Sequence, residues 1–495
     1  MLKAILWGGA TSASQYEGGF VGGKGIDTQD CRPYFPRTSN ATTQTRLLTE
    51  DIIKEAKDPN SGNFYPFRKG SAGYEHQNED LELIKELGLD LYRFSLSWSR
   101  LFPNGNEKNP NKAGVAYYDR IFKKLKAANI KIFLTMNHYA VPLHLVEKYG
   151  GWANPKMIDF YLNFAEFVLK RWGNYVDYWL PFNEINAGFF SPYNGVGLIK
   201  PGNCEYDYQD IFQSLHHQFV ASAKTIKLAR ELKVRGIFGA MISCFSYYPY
   251  SARPEDTLKL VTEEQVNQWY CLDVLAKGKY PYYMDTFFRK NNVKLDISLE
   301  DKDLLDNYTC DFVSFSYYTS NIITTEEGEK TAGNLVVSTK NPYLKASEWG
   351  WQIDPIGMQT TLHKVYDRYQ KPVIVSENGF GAQDTLVDGK IDDSYRIKYF
   401  SEHFKQIIKA NKDGVPVVAY IAWGIIDIVS AGSCEMEKRY GVIYVDADNE
   451  GHGTYKRYKK ASFSWYQNFI KSYHQNFKKV NNENVDTNLN IGEIK

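Results

Sequence analysis

Two glutamates stand where a short apolar run gives way to a polar turn, each beside an asparagine: Glu184 in PFNEIN (181–186) and Glu377 in SENG (376–379). Two carboxyl groups facing each other across a cleft can cleave a glycosidic bond. One is protonated and assists the leaving oxygen; the other is ionised and attacks the sugar or activates water. Either glutamate alone reads more simply as a salt bridge or a loop anchor. The pair, on separate strands and each next to Asn, points to catalysis. Carboxylates also hold metals, but the nine histidines contain no H-x-x-x-H or H-E-x-x-H pair, so no metal is called for.

The elements that must position this pair alternate between short apolar runs and longer amphipathic stretches. Candidate strands are 5–11, 91–98, 131–137, 176–182, 235–242, 311–318, 372–376 and 415–422. Helical spacing is clearest at Leu81, Ile84 and Leu87, with Gly88 as the stop, and over 117–128, 158–172 and 215–232. Eight strand–helix alternations predict an α/β fold, a single-domain (β/α)8 TIM barrel over 1–476. A doubly wound open sheet is the alternative, weakened by the lack of G-x-G-x-x-G after the first strand. Residues 38–64 read as a long polar loop, and 477–495 as a polar, flexible C-terminal tail. Barrel active sites collect at the C-terminal ends of the strands. Those ends carry Gln15 and Glu17, Arg93, Asn137-His138-Tyr139, Asn183-Glu184, Tyr317-Tyr318 and Glu377-Asn378-Gly379. Trp423 ends the last strand, with Ser430, Lys438 and Tyr440 in the loop beyond.

Composition narrows the function classes. The 59 Lys+Arg nearly cancel 58 Asp+Glu, which argues against a global electrostatic grip on nucleic acid or on an anionic membrane. Aromatic residues at 15% fit a polar-ligand site that stacks, although an aromatic core explains them more simply. The six cysteines are scattered without a C-x-x-C pair, so neither a zinc site nor a disulfide framework is expected. The apolar run at the N-terminus ends in glycines by Gly8, too short for a signal peptide, and the chain reads as cytoplasmic. The most membrane-like stretch, 415–434, contains Asp427, Pro416 and several small residues, and reads as a buried strand entering a loop.

The motifs taken together resemble glycoside hydrolase family 1, and within it the 6-phospho-β-glucosidase branch, from about Leu6 to Trp465. WGGATSASQYEG (7–18), YRFSLSWSRLFPNG (92–105), NHYAVPLHLVEKYGGW (137–152), PFNEIN and SENG occur in the family's order and spacing. WGWQIDPIG (349–357) and WGIIDIVSAGSCEMEKRYGVIYVD (423–446) resemble the phospho-sugar branch in particular. The resemblance implies Glu377 as nucleophile and Glu184 as acid/base. It places Arg93 and Tyr317 against Glu377, keeping it ionised. It gives Asn183 to the sugar 2-hydroxyl, and Gln15, His138 and Trp423 to the remaining hydroxyls and the apolar sugar face. Trp349 counts among the substrate-binding residues, and Glu17 is structural support. Two positions depart from the wider family: Tyr139, where many relatives carry Phe or Trp, and Ser316, where non-phosphorylated relatives usually have Asn. Both read as shape residues.

Relatives that act on plain glycosides carry Glu-Trp after the eighth strand; here Ser430-Ala431 stands in that place. Glutamate would repel a dianion and serine can donate to it. Lys438 adds charge and Tyr440 a hydroxyl, spaced so that an extended chain points both one way. The expected activity is retaining hydrolysis of 6-phospho-β-D-glucosides. Alternatives are a 6-phospho-β-galactosidase, disfavoured by Ala431 where that relative tends to carry Trp, and a plain β-glucosidase. A sugar-binding pseudo-enzyme would have lost a carboxylate. No metal or organic cofactor is implied. The expected partner is the small-molecule substrate, not nucleic acid or membrane, with a homo-oligomer left open.

Overall fold

The computed structural model describes residues 3–20, 22–36, 48–200, 202, 204–332 and 337–483. Six strands come first: β1 (Leu6–Ala10), β2 (Leu91–Ser95), β3 (Lys131–Asn137), β4 (Tyr178–Phe182), β5 (Ile237–Pro249) and β6 (Phe312–Ile323). A small antiparallel pair follows, β7 (Lys330–Ala332) and β8 (Val337–Thr339), with Thr339 opposite Ile322 on β6. The last two long strands are β9 (Val373–Asn378) and β10 (Val417–Ala422). The order β5-β4-β3-β2-β1-β10-β9-β6 is parallel throughout and closes through β5 against β6. This is the expected (β/α)8 barrel, with each of the eight predicted strands present. β3 shows why these runs read as nearly continuous apolar segments: every residue after Lys131 is buried, because interior side chains cover one face and helices the other.

The helices obey local rules. Asn111 Oδ1 accepts from Ala113 N at 3.2 Å and starts helix Lys112–Ala127, whose Tyr117, Ile121 and Leu125 recur every four residues on the buried face. Helix Gly73–Leu87 ends at Gly88, where φ is 73°, a left-handed turn that glycine adopts without steric cost. One large aromatic cluster lies between barrel and helices. Trp7 of β1 packs on Phe404, Tyr420, Phe469 and Tyr473, with ring centroids 4.6–5.6 Å away. That cluster seals the C-terminal helix, Ala461–Glu483, onto the barrel.

Two expectations change. Within 38–64, a helix runs from Glu50 to Lys57, capped by the Thr49 hydroxyl, which accepts from Ile52 N at 3.3 Å. Its buried face is only Ile53 and Ala56, so its sequence looks like a polar loop. Residues 38–47 of that stretch lie outside the described residues. At the other end, 477–483 continue the last helix rather than opening a tail, while 484–495 lie outside the described residues.

Stretch 415–434 is β10 followed by a loop, and no helix among the described residues is long and apolar enough to cross a membrane. Its one charge, Asp427, is the centre of a buried ionic knot. Lys460 Nζ lies 2.8 Å from Asp427 and 2.5 Å from Asp384, and Arg396 pairs with Asp384 and Asp393. Arg439 reaches Asp427 at 3.4 Å, Gly441 N donates to it at 2.9 Å, and Arg396 Nη1 donates to the Tyr440 carbonyl at 3.0 Å. The loop carrying Ser430, Lys438 and Tyr440 is thus tied to the helix wall at several points.

Candidate active site

Glu377 ends β9 and is held by donors on both oxygens. Arg93 Nη1, from β2, donates to Oε1 at 2.6 Å, and Tyr318 Oη donates to Oε2 at 2.8 Å. Arg93 is itself fixed through Nε to Thr135 Oγ1 (3.0 Å) and through Nη2 to Asn183 Oδ1 (2.7 Å). Since the Asn183 carbonyl oxygen is occupied by Arg93, its amide nitrogen, beside the Tyr139 hydroxyl, is left as a donor.

The phenol on Glu377 comes from Tyr318 and not from Tyr317 as expected. Tyr317 Oη donates to the Asp354 carbonyl at 2.9 Å and packs toward helix Pro355–Tyr369. The reason is strand parity. Side chains on β6 alternate, Ser316 and Tyr318 face inward, and Tyr317 between them faces the helices. The register shift against β9, where Phe315 pairs with Val375 and Ser316 with Glu377, puts its extra residue on β9, so the alternation of β6 is unbroken there.

Glu184 follows β4 in a different setting. Its Oε1 accepts from Ser316 Oγ and its Oε2 from Tyr139 Oη. The two positions read as shape residues are therefore the two hydroxyls on this carboxyl group. No arginine or lysine is paired with Glu184 among the described residues. Burial, and next the Glu377 charge, push Glu184 up to about 7, against the pull of the two hydroxyls and Arg93. Burial also pushes Glu377 up, but Arg93 and the Tyr318 hydroxyl oppose it directly. Of the two buried carboxyls, Glu377 has the cation, so Glu184 keeps the proton near neutral pH.

The pocket between them is lined by Gln15, His138, Tyr139, Trp351, Trp423, the Ala431–Gly432 segment, Lys438 and Tyr440. His138 stacks on Trp423, with centroids 5.4 Å apart and planes 13° off parallel. Burial, and then Arg93, hold His138 well below its usual pKa, so the ring is neutral. Gln15 is pinned at both ends of its amide, donating to Val429 O at 2.8 Å and accepting from Ser12 Oγ at 2.6 Å. Glu17 stays out of the pocket and pairs with Arg100 at 2.7 Å, in line with a supporting place.

Ser430 is buried just behind this lining, with its Oγ 3.3 Å from Tyr440 Oη. Lys438 Nζ lies 3.7 Å from the centroid of the Trp351 ring, with its stem against Gly381, where a Cβ would fall 2.8 Å from Lys438 Cε. The indole at the pocket is Trp351, not the expected Trp349. Trp349 stands behind it, and its Nε1 donates to Glu435 Oε2 at 2.8 Å. Trp351 also touches Tyr318, with centroids 5.0 Å apart, and so joins the Glu377 end of the pocket to the Lys438 end. Tyr139, Ser316, Tyr318 and Trp351 were missed or assigned no site role from sequence. For Ser316 and Tyr318 a signal existed in their i, i+2 spacing.

Comparison with known proteins gives the family of this barrel. A model of glycosyl hydrolase family 1 matches residues 1–475. The chain is 42% identical over 472 residues to an aryl-phospho-β-D-glucosidase of Bacillus subtilis (strain 168), covering 94% of this chain and 97% of that one. It is 42% identical over 476 residues to a 6-phospho-β-glucosidase of Clostridium longisporum, covering 94% and 96%. Among solved structures, a β-glucosidase from Exiguobacterium antarcticum B7 superposes with a TM-score of 0.79 at 25% identity, over 96% of this chain and 99% of that one. With the two carboxyls at strand ends of the same barrel, the chain belongs to glycosyl hydrolase family 1.

Proposed function

We propose that this enzyme hydrolyses 6-phospho-β-D-glucosides with retention, using Glu377 as nucleophile and Glu184 as acid/base. The observation that carries the mechanism is the unlike surroundings of the two carboxyls: a guanidinium on Glu377, neutral hydroxyls on Glu184. The Glu377 carboxylate attacks the anomeric carbon while Glu184 gives its proton to the leaving oxygen. The carbon–aglycone bond breaks, and a glycosyl ester to Glu377 forms. Water then attacks the anomeric carbon, Glu184 takes its proton, the ester bond breaks and Glu377 is an anion again. The amide nitrogen of Asn183 is placed to donate to the sugar 2-hydroxyl, a bond that strengthens in the transition state. Gln15 and His138 hold other hydroxyls, and Trp423 covers an apolar sugar face.

For the 6-phosphate we assign Lys438 with the hydroxyls of Ser430 and Tyr440. What supports this is a buried ammonium lining the same pocket as both carboxyls, on a loop pinned by ion pairs. Burial raises the Tyr440 pKa, so its hydroxyl keeps its proton and can donate. A sugar phosphate does not cross a bilayer unaided, and we place the enzyme with its substrate in the cytoplasm. The test compares an aryl β-glucoside with its 6-phosphate ester and with the 6-phospho-galacto epimer. The expected order of kcat/KM is 6-phospho-glucoside, then 6-phospho-galactoside, then plain glucoside. Preference for the plain glucoside contradicts the phosphate assignment, and preference for the galacto epimer contradicts the reading of Ala431.

A further inference from the structure

Glu184 is a buried acid with one hydroxyl on each oxygen and no paired cation among the described residues. The two hydroxyls come from different elements. Ser316 is fully buried in β6 and stays out of the pocket lining; Tyr139, in the loop after β3, lines it. Both Tyr139 (φ 66°) and Glu184 (φ 34°) have left-handed backbones, which non-glycine residues hold only where the surroundings impose it. The Tyr139 ring packs on Ala187 and Phe190, in the short helix directly after Glu184, so phenol and carboxyl are fixed to one element.

We propose that Tyr139 and Ser316 are positioning residues for the acid/base: Ser316 anchors Oε1 through the whole cycle, and Tyr139 holds Oε2, the oxygen that delivers and recovers the proton. A hydroxyl suits this because it carries one proton and lone pairs, and can donate to a carboxylate or accept from a carboxyl O–H. A lysine or arginine could only donate and would fix Glu184 as an anion. When Glu184 is protonated, Oε2 turns its one proton to the leaving oxygen while the Tyr139 hydroxyl donates to an Oε2 lone pair. After transfer Tyr139 donates to the new carboxylate while it waits for water. The phenol is not itself the acid, since burial, and then the Glu184 charge, push its pKa well above the usual value. The charged and titratable groups facing Glu184 are Glu377 on β9, Arg93 on β2, Tyr139 after β3 and, on β6, Tyr318.

Tyr139→Phe keeps the ring and removes the donor. Losing a charge-assisted hydrogen bond to the ionised form raises the pKa of Glu184, moving the basic limb of the kcat/KM profile up by about one to two pH units. That shift is expected with a poor leaving group such as an alkyl 6-phosphoglucoside. With a dinitrophenyl leaving group, which needs no proton, kcat/KM holds while kcat and KM fall together, because only the water step slows. Ser316→Ala repeats the test on the other oxygen, and a limb shift in either variant supports the role. A uniform loss at every pH and with every leaving group, in both variants, overturns it. The inference rests on Glu184 being the acid/base, so Glu184→Ala is measured alongside. Azide rescue there with unmoved limbs in the hydroxyl variants overturns the positioning role alone; no rescue overturns the acid/base reading itself.

Discussion

The two sides of the catalytic pocket are built from opposite materials. The β2–β9 side is ionic: Arg93 pairs with Glu377 at 2.6 Å and is braced by Thr135 and Asn183. The β4–β6 side is neutral: among the described residues Glu184 hydrogen-bonds only to the hydroxyls of Tyr139 and Ser316. Both sides are equally dry, so burial alone would raise both carboxyls alike. The difference lies in what touches them. A guanidinium holds a charge in place, while hydroxyls allow a proton to come and go. One fold thereby obtains an anion and an acid from the same residue type.

The strongest way to break the comparison is to remove the neutral side's acid. Glu184→Ala is expected to slow hydrolysis of poor leaving groups about 10²–10⁴-fold while sparing glycosylation by activated aryl substrates, with azide restoring turnover of the latter. Equal loss for all leaving groups would erase the distinction between the two sides. A smaller effect probes the far end of the pocket. Lys438→Ala is expected to raise KM for the 6-phospho substrate and lower kcat/KM about ten- to a hundredfold, with little change for the plain glucoside, as lost uniform binding does. Parallel losses on both substrates would make Lys438 structural.

The mildest test reads stability instead of rate. Burial raises the Glu184 pKa from 4.5 to about 7, so the folded protein holds that proton more tightly than the unfolded chain. Ionising it therefore costs stability as pH rises from about 4.5 to about 7. Glu184→Gln removes this cost. The variant is expected to be more stable than the wild type above pH 7, by up to about 3 kcal/mol, and no more stable below pH 4.5. Chemical denaturation at pH 4 and pH 8 measures both ends; a gain of equal size at the two pH values would contradict the raised pKa.

Much of this was legible in the sequence, for physical reasons. Barrel strands are covered on both faces and leave short apolar runs, and their C-terminal ends carry the polar residues that remain, which is how Glu184, Glu377, Arg93 and His138 come to notice. Tyr317 stood in for Tyr318 because the two are identical neighbours on one strand, and only the pairing of β6 within the barrel says which of them faces inward. Trp349 was taken for Trp351 because the two lie in irregular chain around Gly350, at φ 76°, where no period tells inward from outward. The roles of Tyr139 and Ser316 depend on β3, β4 and β6 meeting at one carboxyl group, a long-range coincidence that no local pattern encodes. The ionic knot of Lys460, Asp384, Asp427 and Arg396 is hidden for the same reason, since its members lie far apart in the chain.

The central claim is that the ionic side supplies the nucleophile. Incubation with an activated 2-deoxy-2-fluoro-β-glucoside 6-phosphate should trap one glycosyl group per chain, because the fluorine slows release more than formation of the ester. Peptide mapping by mass spectrometry then locates it. The account predicts a single adduct on Glu377, absent in Glu377→Gln. An adduct on Glu184, or turnover with inversion and no adduct, would contradict it.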